Sequence, residues 1–134
     1  MAEAAGLAES GVKELILVAQ DTTAYGLDWG GGPWLPNLLR ELAGIPGLAW
    51  IRLLYGHPAR VGRELLATMA ANPRICPYLD LPIQHGHDEM LRRMGRPYGR
   101  RQILQCVRLV REMLPRPALR TTVMVGFPGE TEAH

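Results

Sequence analysis

Short apolar runs alternate with longer amphipathic segments along this chain. The short runs occupy residues 15–20, 50–55, 78–84 and 119–126, and their length is typical of buried strands. The segments between them place apolar residues three or four positions apart, which predicts helices over residues 36–43, 61–71, 88–94 and 100–114. A further helix is predicted over residues 2–10. The last long segment has the clearest apolar stripe: Ile103, Val107, Val110 and Leu114.

Strands that are separated by helices normally pair in parallel through right-handed crossovers. The pattern therefore predicts an α/β fold, parallel strands with alternating helices, either as a piece of a barrel or as an open wound sheet. A parallel sheet cut at both sides would expose its edge strands, which natural proteins avoid. We therefore expect the sequence to be part of a longer protein. A small α/β domain with frayed ends is the alternative.

Three of the predicted strands carry polar groups on one face. Side chains alternate between the faces of a strand, so Asp80 and Gln84 share a face, as do Arg120 and Thr122. Arg52 lies opposite its apolar neighbours in the second strand. Burying such groups without partners is costly. They are expected to pair with one another or to line a wet, ligand-bearing cavity, with a solvent-exposed open sheet as the alternative.

The predicted carboxyl ends of the strands are polar or rich in glycine. In parallel α/β folds, ligands bind beyond these ends. The four ends run through residues 20–23, 55–58, 84–88 and 126–130, and they include Gln20, Asp21, Thr22, His85 and Gly126. The opposite ends of the strands are plainer. This asymmetry predicts an active-site rim, although His85 and His87 are equally explained as loop residues without a metal.

Composition excludes some classes of protein. Hydrophobic residues make up 47% of the 134 residues and the formal net charge is +2, which does not predict a nucleic-acid partner. The longest apolar run, residues 15–19, is too short for a membrane span. The spacing of Cys76 and Cys106 fits no zinc or iron–sulfur pattern, so we expect no metal site in this chain and a cytoplasmic location. The arginines at positions 92, 93, 96, 100 and 101 suit either an anion or solvated helix surface.

Several collinear segments resemble radical S-adenosylmethionine (SAM) methylthiotransferases of the RimO type, which modify a ribosomal protein. These segments are residues 18–26 (Val-Ala-Gln-Asp-Thr-Thr-Ala-Tyr-Gly), 76–85 (Cys-Pro-Tyr-Leu-Asp-Leu-Pro-Ile-Gln-His), 93–98 and 119–132. The sister family, MiaB-type tRNA methylthiotransferases, shares the last segment. It typically has Gln-Asn-Val-Asn in place of residues 20–23 and serine in place of His85, so the differences favour the ribosomal-protein branch.

The resemblance implies that residues 1–134 form the central part of a radical SAM (β/α) partial TIM-like barrel. It implies SAM and [4Fe-4S] clusters as cofactors, with the cluster ligands outside this chain, and an aspartate of ribosomal protein S-twelve as the substrate. It places Gln20, Gln84, Arg120 and Gly126 as the candidate SAM-binding residues. The further cavity or substrate candidates are Asp21, Thr22, Arg52, Asp80, His85 and Thr122.

The family's three-cysteine cluster loop, N-terminal cluster domain and C-terminal domain have no counterpart in these residues. Gly86-His87 also departs from the Ala-Ser that relatives often have. We therefore expect this piece alone to be inactive. A tRNA-modifying parent and a non-catalytic binding module derived from the barrel are the alternatives.

Overall fold

The computed structural model describes residues 1–32 and 34–134. Its helices are α1 (Ala2–Glu9), α2 (Trp34–Ala43), α3 (Arg63–Ala71), α4 (Asp88–Arg93) and α5 (Arg100–Met113). Its strands are β1 (Glu14–Leu17), β2 (Trp50–Leu53), β3 (Ile75–Asp80) and β4 (Ala118–Arg120). The strands form one sheet in the order β1-β2-β3-β4, and each neighbouring pair is parallel. The predicted α/β class and parallel pairing are therefore confirmed, and the arrangement agrees with part of a β/α barrel.

The hydrophobic core lies between one face of the sheet and the helices. Alternation along the strands points Ile51, Leu53, Ile75 and Leu79 into this layer, and each is at most 2% exposed. The helices supply the facing side chains: Leu39 and Leu42 from α2, Leu65, Leu66 and Met69 from α3, and Cys106 and Val110 from α5. Cys106 is thus a core residue, 7% exposed.

The opposite face of the sheet is open across the described residues. Ile16 and Trp50 are each more than half exposed on it, while Arg52 is half-buried. In a closed barrel this face would be turned toward the lumen. The polar alternation predicted from the sequence therefore marks the face that the described helices leave uncovered.

All four observed strands end before their predicted carboxyl ends, and the third and fourth differ the most. The third strand begins at Ile75 and ends at Asp80, because Pro82 has no N–H for the ladder and Gln84 turns the chain with a φ of +71°. The fourth strand ends at Arg120. Beyond it, the side chain of Thr121, and not its backbone, makes the hydrogen bonds to the neighbouring segment. Its hydroxyl donates to Leu81 O at 2.8 Å and accepts from Ile83 N at 3.3 Å.

The early end of β4 leaves two apolar residues of the predicted fourth strand without cover. Val123 and Val125, which alternate with its polar residues, are 59% and 81% exposed. Only an isolated parallel bridge between Gln84 and Val123 continues the sheet in this region.

None of the helices in the described ranges is both long enough and apolar enough to cross a membrane.

Candidate functional site

A polar cleft of about 300 Å³ lies beyond the carboxyl ends of the strands. Four of the residues singled out in the sequence line it together: Gln20, Asp21, Gln84 and Thr122. Its other walls are Tyr55, Gly56, His57, Pro82 and Arg96. The parallel topology explains this convergence, because it brings the exits of all four strands to one edge of the sheet.

Two residues of the cleft hold a left-handed backbone conformation that favours glycine. Tyr55 has a φ of +55° and Gln84 a φ of +71°. Gln84 is fixed on both sides, because its N–H donates to Thr122 O at 3.0 Å and its carbonyl accepts from Met124 N at 2.7 Å. Such conformations cost about 1 kcal/mol or more and persist only where surrounding contacts impose them. The cleft is thus built on backbone turns that the neighbouring strands enforce.

Asp80 supports the cleft from below. It is 2% exposed, and its Oδ2 accepts a hydrogen bond from Tyr55 N at 3.3 Å. Its Oδ1 is buried and has no hydrogen-bond partner among the described residues. Asp80 is therefore not one of the residues that line the cleft. Instead, it holds the turn at Tyr55, which does line the cleft.

Arg120 lies beside Asp80, on the open face of the sheet. Its Nη1 is 3.7 Å from Asp80 Oδ2, and its side chain is 58% exposed. A hydrogen bond to Tyr78 and the charge of Asp80 raise the pKa of the guanidinium. Arg120 is therefore placed next to the cleft rather than in its wall.

Asp21 and Thr22 have different surroundings, although they are adjacent in the chain. The Asp21 carboxylate forms an ion pair with Arg60 and accepts from the Thr23 hydroxyl. The Thr22 hydroxyl donates to Leu54 O at 2.8 Å and is buried. Thr22 thus links the segment after β1 to the segment after β2 through a hydrogen bond. Of the two residues, only Asp21 lines the cleft.

Arg52 belongs to a separate polar row on the open face. Its Nε is 2.7 Å from Glu14 Oε1, and its guanidinium lies 4.9 Å from the centroid of the Tyr78 ring. The hydrogen bond to Glu14 raises its pKa. Arg52 is therefore paired, but with Glu14 and not with Asp80 or Arg120 as the sequence left open, and it takes no part in the cleft lining.

His85 and Gly126 lie outside the cleft, in the loops that follow β3 and β4. His85 is 8% exposed, and its Nε2 is 3.2 Å from Glu130 Oε1. The other carboxylate oxygen of Glu130 accepts from Phe127 N at 3.0 Å. Gly126, with a φ of +75°, lines a depression of about 360 Å³ next to Glu130 and not the cleft. Glu130 therefore connects the loop after β3 to the loop after β4.

We expect this connection to open at low pH. The Phe127 N–H and the hydrogen bond from His85 lower the pKa of Glu130 below its ordinary 4.5. A carboxyl group whose pKa is lower in the folded than in the unfolded protein stabilises the fold at pH values above its unfolded pKa. This contribution is lost as the pH falls through the folded pKa. The Phe127 amide resonance, followed by ¹H–¹⁵N NMR, should therefore shift in that acidic range. Glu130→Gln should abolish the transition, and an unchanged transition in that variant would contradict the assignment.

A histidine–carboxylate group near this loop has the residue types of a metal site. Candidate ligand atoms of His87, Glu89 and His134 lie within 4.8 Å of one another. However, the Nδ1 of His87 accepts from Glu89 N at 3.3 Å, and that of His134 accepts from Thr131 N at 3.0 Å. A neutral imidazole that accepts at Nδ1 carries its proton at Nε2, so no ring nitrogen keeps a free lone pair. The arrangement favours a hydrogen-bonded cluster.

The two thiols are placed unfavourably for a cluster or a metal. Cys76 and Cys106 are both buried, and burial raises the pKa of each, that of Cys106 to about 11. Metal-bound cysteine requires the thiolate, which this environment disfavours.

A larger groove of about 540 Å³ runs along the free edge of β1, between α1 and α2. Aliphatic side chains form most of its wall, among them Leu7, Leu15, Leu35 and Leu38. Directional chemistry needs several convergent polar groups. The smaller polar cleft is therefore the candidate site.

The site candidates chosen from the sequence leave out five residues of the cleft: Tyr55, Gly56, His57, Pro82 and Arg96. Residues 55–57 belong to one of the four strand ends predicted to form the rim, although none of them was singled out. Arg96 was not distinguishable from the other arginines around α4. Only its place directly after Gly95, where a helix ends, sets it apart.

Comparison with known proteins gives a consistent result. The family model described as "Radical SAM superfamily" matches residues 1–134. The "Ribosomal protein uS12 methylthiotransferase RimO" of Moorella thermoacetica is 53% identical over 98% of this chain, and that of Geobacter sulfurreducens is 52% identical over 98%. The same-named protein of Desulforamulus reducens is 50% identical over 99%. The chain spans 30–31% of the length of these curated relatives. The resemblance inferred from the sequence segments is thereby confirmed.

Proposed function

This chain belongs to the radical SAM superfamily, and on that premise we propose that it is the central part of a methylthiotransferase core. The proposed reaction replaces a hydrogen on the β-carbon of an aspartate in ribosomal protein S-twelve with a methylthio group. The relatives that match at about half identity are named as methylthiotransferases of ribosomal protein uS12. The observation that supports the proposal most directly is the polar cleft where Gln20, Gln84 and Thr122 converge.

The cleft has the chemical groups that SAM would need. Gln20 and Gln84 offer amide donors and acceptors for the sugar and base, and Thr122 adds a hydroxyl. His57 Nδ1 and Arg96 Nε are buried and have no hydrogen-bond partner among the described residues, as expected where a polar ligand completes the hydrogen bonding. When bound, SAM supplies the 5′-deoxyadenosyl radical by reductive cleavage, and a second SAM supplies the methyl group.

The roles proposed for the other candidates differ with their positions. Asp80, Thr22 and Asp21 fix the turns that form the floor and rim of the cleft. Arg120 and Arg52 lie on the open sheet face, where a substrate chain would approach. His85 would act through Glu130, by fixing the loop that contains Gly126. We propose that the [4Fe-4S] ligands belong to other parts of the protein, because the buried thiols here do not suit that role.

The proposal includes a location and a set of partners. Ribosomal protein S-twelve as substrate implies a cytoplasmic protein, and the small net charge of +2 supports a protein rather than a nucleic-acid partner for this segment. Without cluster thiolates, the isolated chain is expected to bind SAM but not to cleave it.

The test uses the intact protein with reconstituted clusters, SAM, a sulfur donor and a reductant. It is offered ribosomal protein S-twelve and, in a parallel reaction, tRNA. We expect mass spectrometry to find a methylthio group on one aspartate of the ribosomal protein and unmodified tRNA. Modification of tRNA instead would replace the proposal with the tRNA-modifying activity. Absence of SAM cleavage under conditions in which a RimO relative is active would favour a non-catalytic module.

A matched control separates the cleft from the rest of the protein. Gln84→Ala is expected to reduce product formation about tenfold, because Gln84 contributes a hydrogen-bonding side chain to the cleft from a fixed turn. Gln105→Ala, which removes an exposed glutamine from α5, should leave it unchanged. Equal effects of the two substitutions would contradict the placement of the site.

A further inference from the structure

An exposed aromatic cluster occupies the loop after β1 and the start of α2. Its members are Tyr25 and Trp29, which are 40% and 59% exposed, and Trp34. The Trp29 ring packs edge-on against Tyr25 at a centroid distance of 5.3 Å and against Trp34 at 5.5 Å. Leu27, which belongs to the same 3₁₀ turn as Trp29, is 60% exposed. Exposed apolar surface of this kind marks interaction sites, in which tryptophan and tyrosine are enriched.

The rings of the aromatic cluster are held in place by the loop itself. The Trp34 Nε1–H donates to Gly30 O at 2.8 Å, so the loop closes over the indole. Gly26 packs against the same side chain: it has a φ of +74°, and a Cβ atom there would lie 2.5 Å from Trp34 Cβ. Rings that are fixed in advance lose little conformational entropy when a partner binds. The aromatic cluster is therefore a preorganised surface.

The side chains around the aromatic cluster carry uncompensated negative charge. Residues 14–39 contain no lysine or arginine. Asp28 belongs to the 3₁₀ turn of the cluster, and Glu41 lines a depression of about 500 Å³ together with the three aromatic rings. Both carboxylates are exposed, and the ion pairs of the described residues include neither of them. Arg40, which also lines the depression, is already engaged by the Glu64 carboxylate at 3.6 Å.

The aromatic cluster and the polar cleft lie at the same end of the strands. The loop that contains the cluster follows directly after Gln20 and Asp21, which line the cleft. Asp21 also lines the groove along β1, and Tyr25 lines that groove with it. A protein chain that enters the cleft can therefore continue across the aromatic cluster.

We propose that the aromatic cluster, with Asp28 and Glu41, is a docking surface for an arginine- or lysine-bearing segment of the protein substrate. Such a side chain lays its aliphatic stem on apolar surface, and its cation is attracted by aromatic faces and by carboxylates. Nucleic-acid bases also stack on aromatic rings, but here the carboxylates repel the phosphates. The inference rests on the proposed function, which supplies a protein as the substrate, and it identifies where this chain holds that substrate outside the cleft.

The binding test uses the intact protein labelled with 5-fluorotryptophan and follows ¹⁹F NMR without turnover. The Trp29 resonance is assigned by its absence from Trp29→Leu. The probes are a blocked peptide of alternating glycine and arginine, the same peptide with uncharged citrulline in place of arginine, and a single-stranded oligouridylate. We expect the Trp29 resonance to shift with the arginine peptide, less so at high salt, and to stay in place with the other two.

Three results of this titration would overturn the docking surface. Equal responses to the arginine and citrulline peptides would show apolar contact without recognition of charge. A response to the oligouridylate would assign the surface to nucleic acid. An unresponsive Trp29 resonance would show that other parts of the protein cover the aromatic cluster.

Variants relate the docking surface to the substrate. With ribosomal protein S-twelve, Trp29→Leu should raise KM about tenfold and Asp28→Asn about threefold, each at unchanged kcat, because a cation–π or charge contact is lost. Trp29→Phe keeps an aromatic ring and should retain most of the affinity. Glu112→Gln, which removes an exposed carboxylate from α5, is the matched control and should leave KM unchanged. A loss confined to kcat, or equal effects of Asp28→Asn and Glu112→Gln, would contradict the docking role.

The outcome is separable from that of the proposed function. Methylthiolated product formed with an unchanged KM in Trp29→Leu and Asp28→Asn would remove the docking surface and leave the activity intact. A Trp29 response to the arginine peptide in a protein that forms no such product would keep the surface and remove the activity.

Discussion

Replacing Leu66 by alanine is expected to lower the free energy of unfolding by about 2–5 kcal/mol. Leu66 is fully buried in α3, which packs against β3, α2 and α5. Truncation removes apolar contacts and leaves a cavity that rigid neighbours on three sides cannot fill. Chemical denaturation of the 134-residue chain measures the effect as a lower midpoint with an unchanged slope.

The control for this prediction is Leu104→Ala in α5. Leu104 is 44% exposed, so the same chemical change should cost less than about 1 kcal/mol. If both variants lost similar stability, the core would not lie between the helices and the covered face of the sheet. If only Leu66→Ala lost stability, the result would support a core layer that packs against β3 and so holds Asp80 in position.

Replacing Asp80 by alanine is expected to cost about 1–3 kcal/mol and to change the conformation at Tyr55. The substitution leaves the Tyr55 N–H without its 3.3 Å acceptor in a partly buried setting. It also removes the contact that holds Tyr55 in its left-handed conformation. The ion pair with Arg120 adds little to this figure, because the arginine is 58% exposed and solvent screens it.

Two measurements distinguish a local role from a general loss of stability. The Tyr55 amide resonance should move toward the position of an ordinary extended residue, while amides of β1 stay unchanged. Asp28→Ala, which removes an exposed carboxylate, should change the free energy of unfolding by no more than about 0.5 kcal/mol. An unperturbed Tyr55 resonance in Asp80→Ala would contradict the proposed support of the turn.

The sequence predicted the class of fold because its signals are local. Hydrophobic periodicity separates strands from helices, and the alternation of the two determines parallel pairing. The polar face of the sheet was predictable for the same reason, since Arg52 and Asp80 alternate with apolar residues at a period of two. The convergence of Gln20, Gln84 and Thr122 followed from topology alone.

What the sequence did not predict depends on contacts between distant residues. Thr121 ends the regular pairing of β4 through its hydroxyl, so Val123 and Val125, which look like core positions, are exposed. The partners of Arg52 and Asp21 are 38 and 39 residues away in sequence, and no local pattern identifies them. Asp80 illustrates both cases. The face of the sheet on which it lies was predictable, whereas its hydrogen bond from the Tyr55 N–H was not.

The left-handed turn at Tyr55 has a consequence for how this position would respond to selection. Glycine adopts that φ without a steric penalty, so a chain selected for folding alone would gain by carrying glycine there. The tyrosine, 44% exposed at the mouth of the cleft, keeps the penalty and contributes a phenol ring. Position 55 is therefore a place where a more heat-resistant variant and a more active one are expected to diverge.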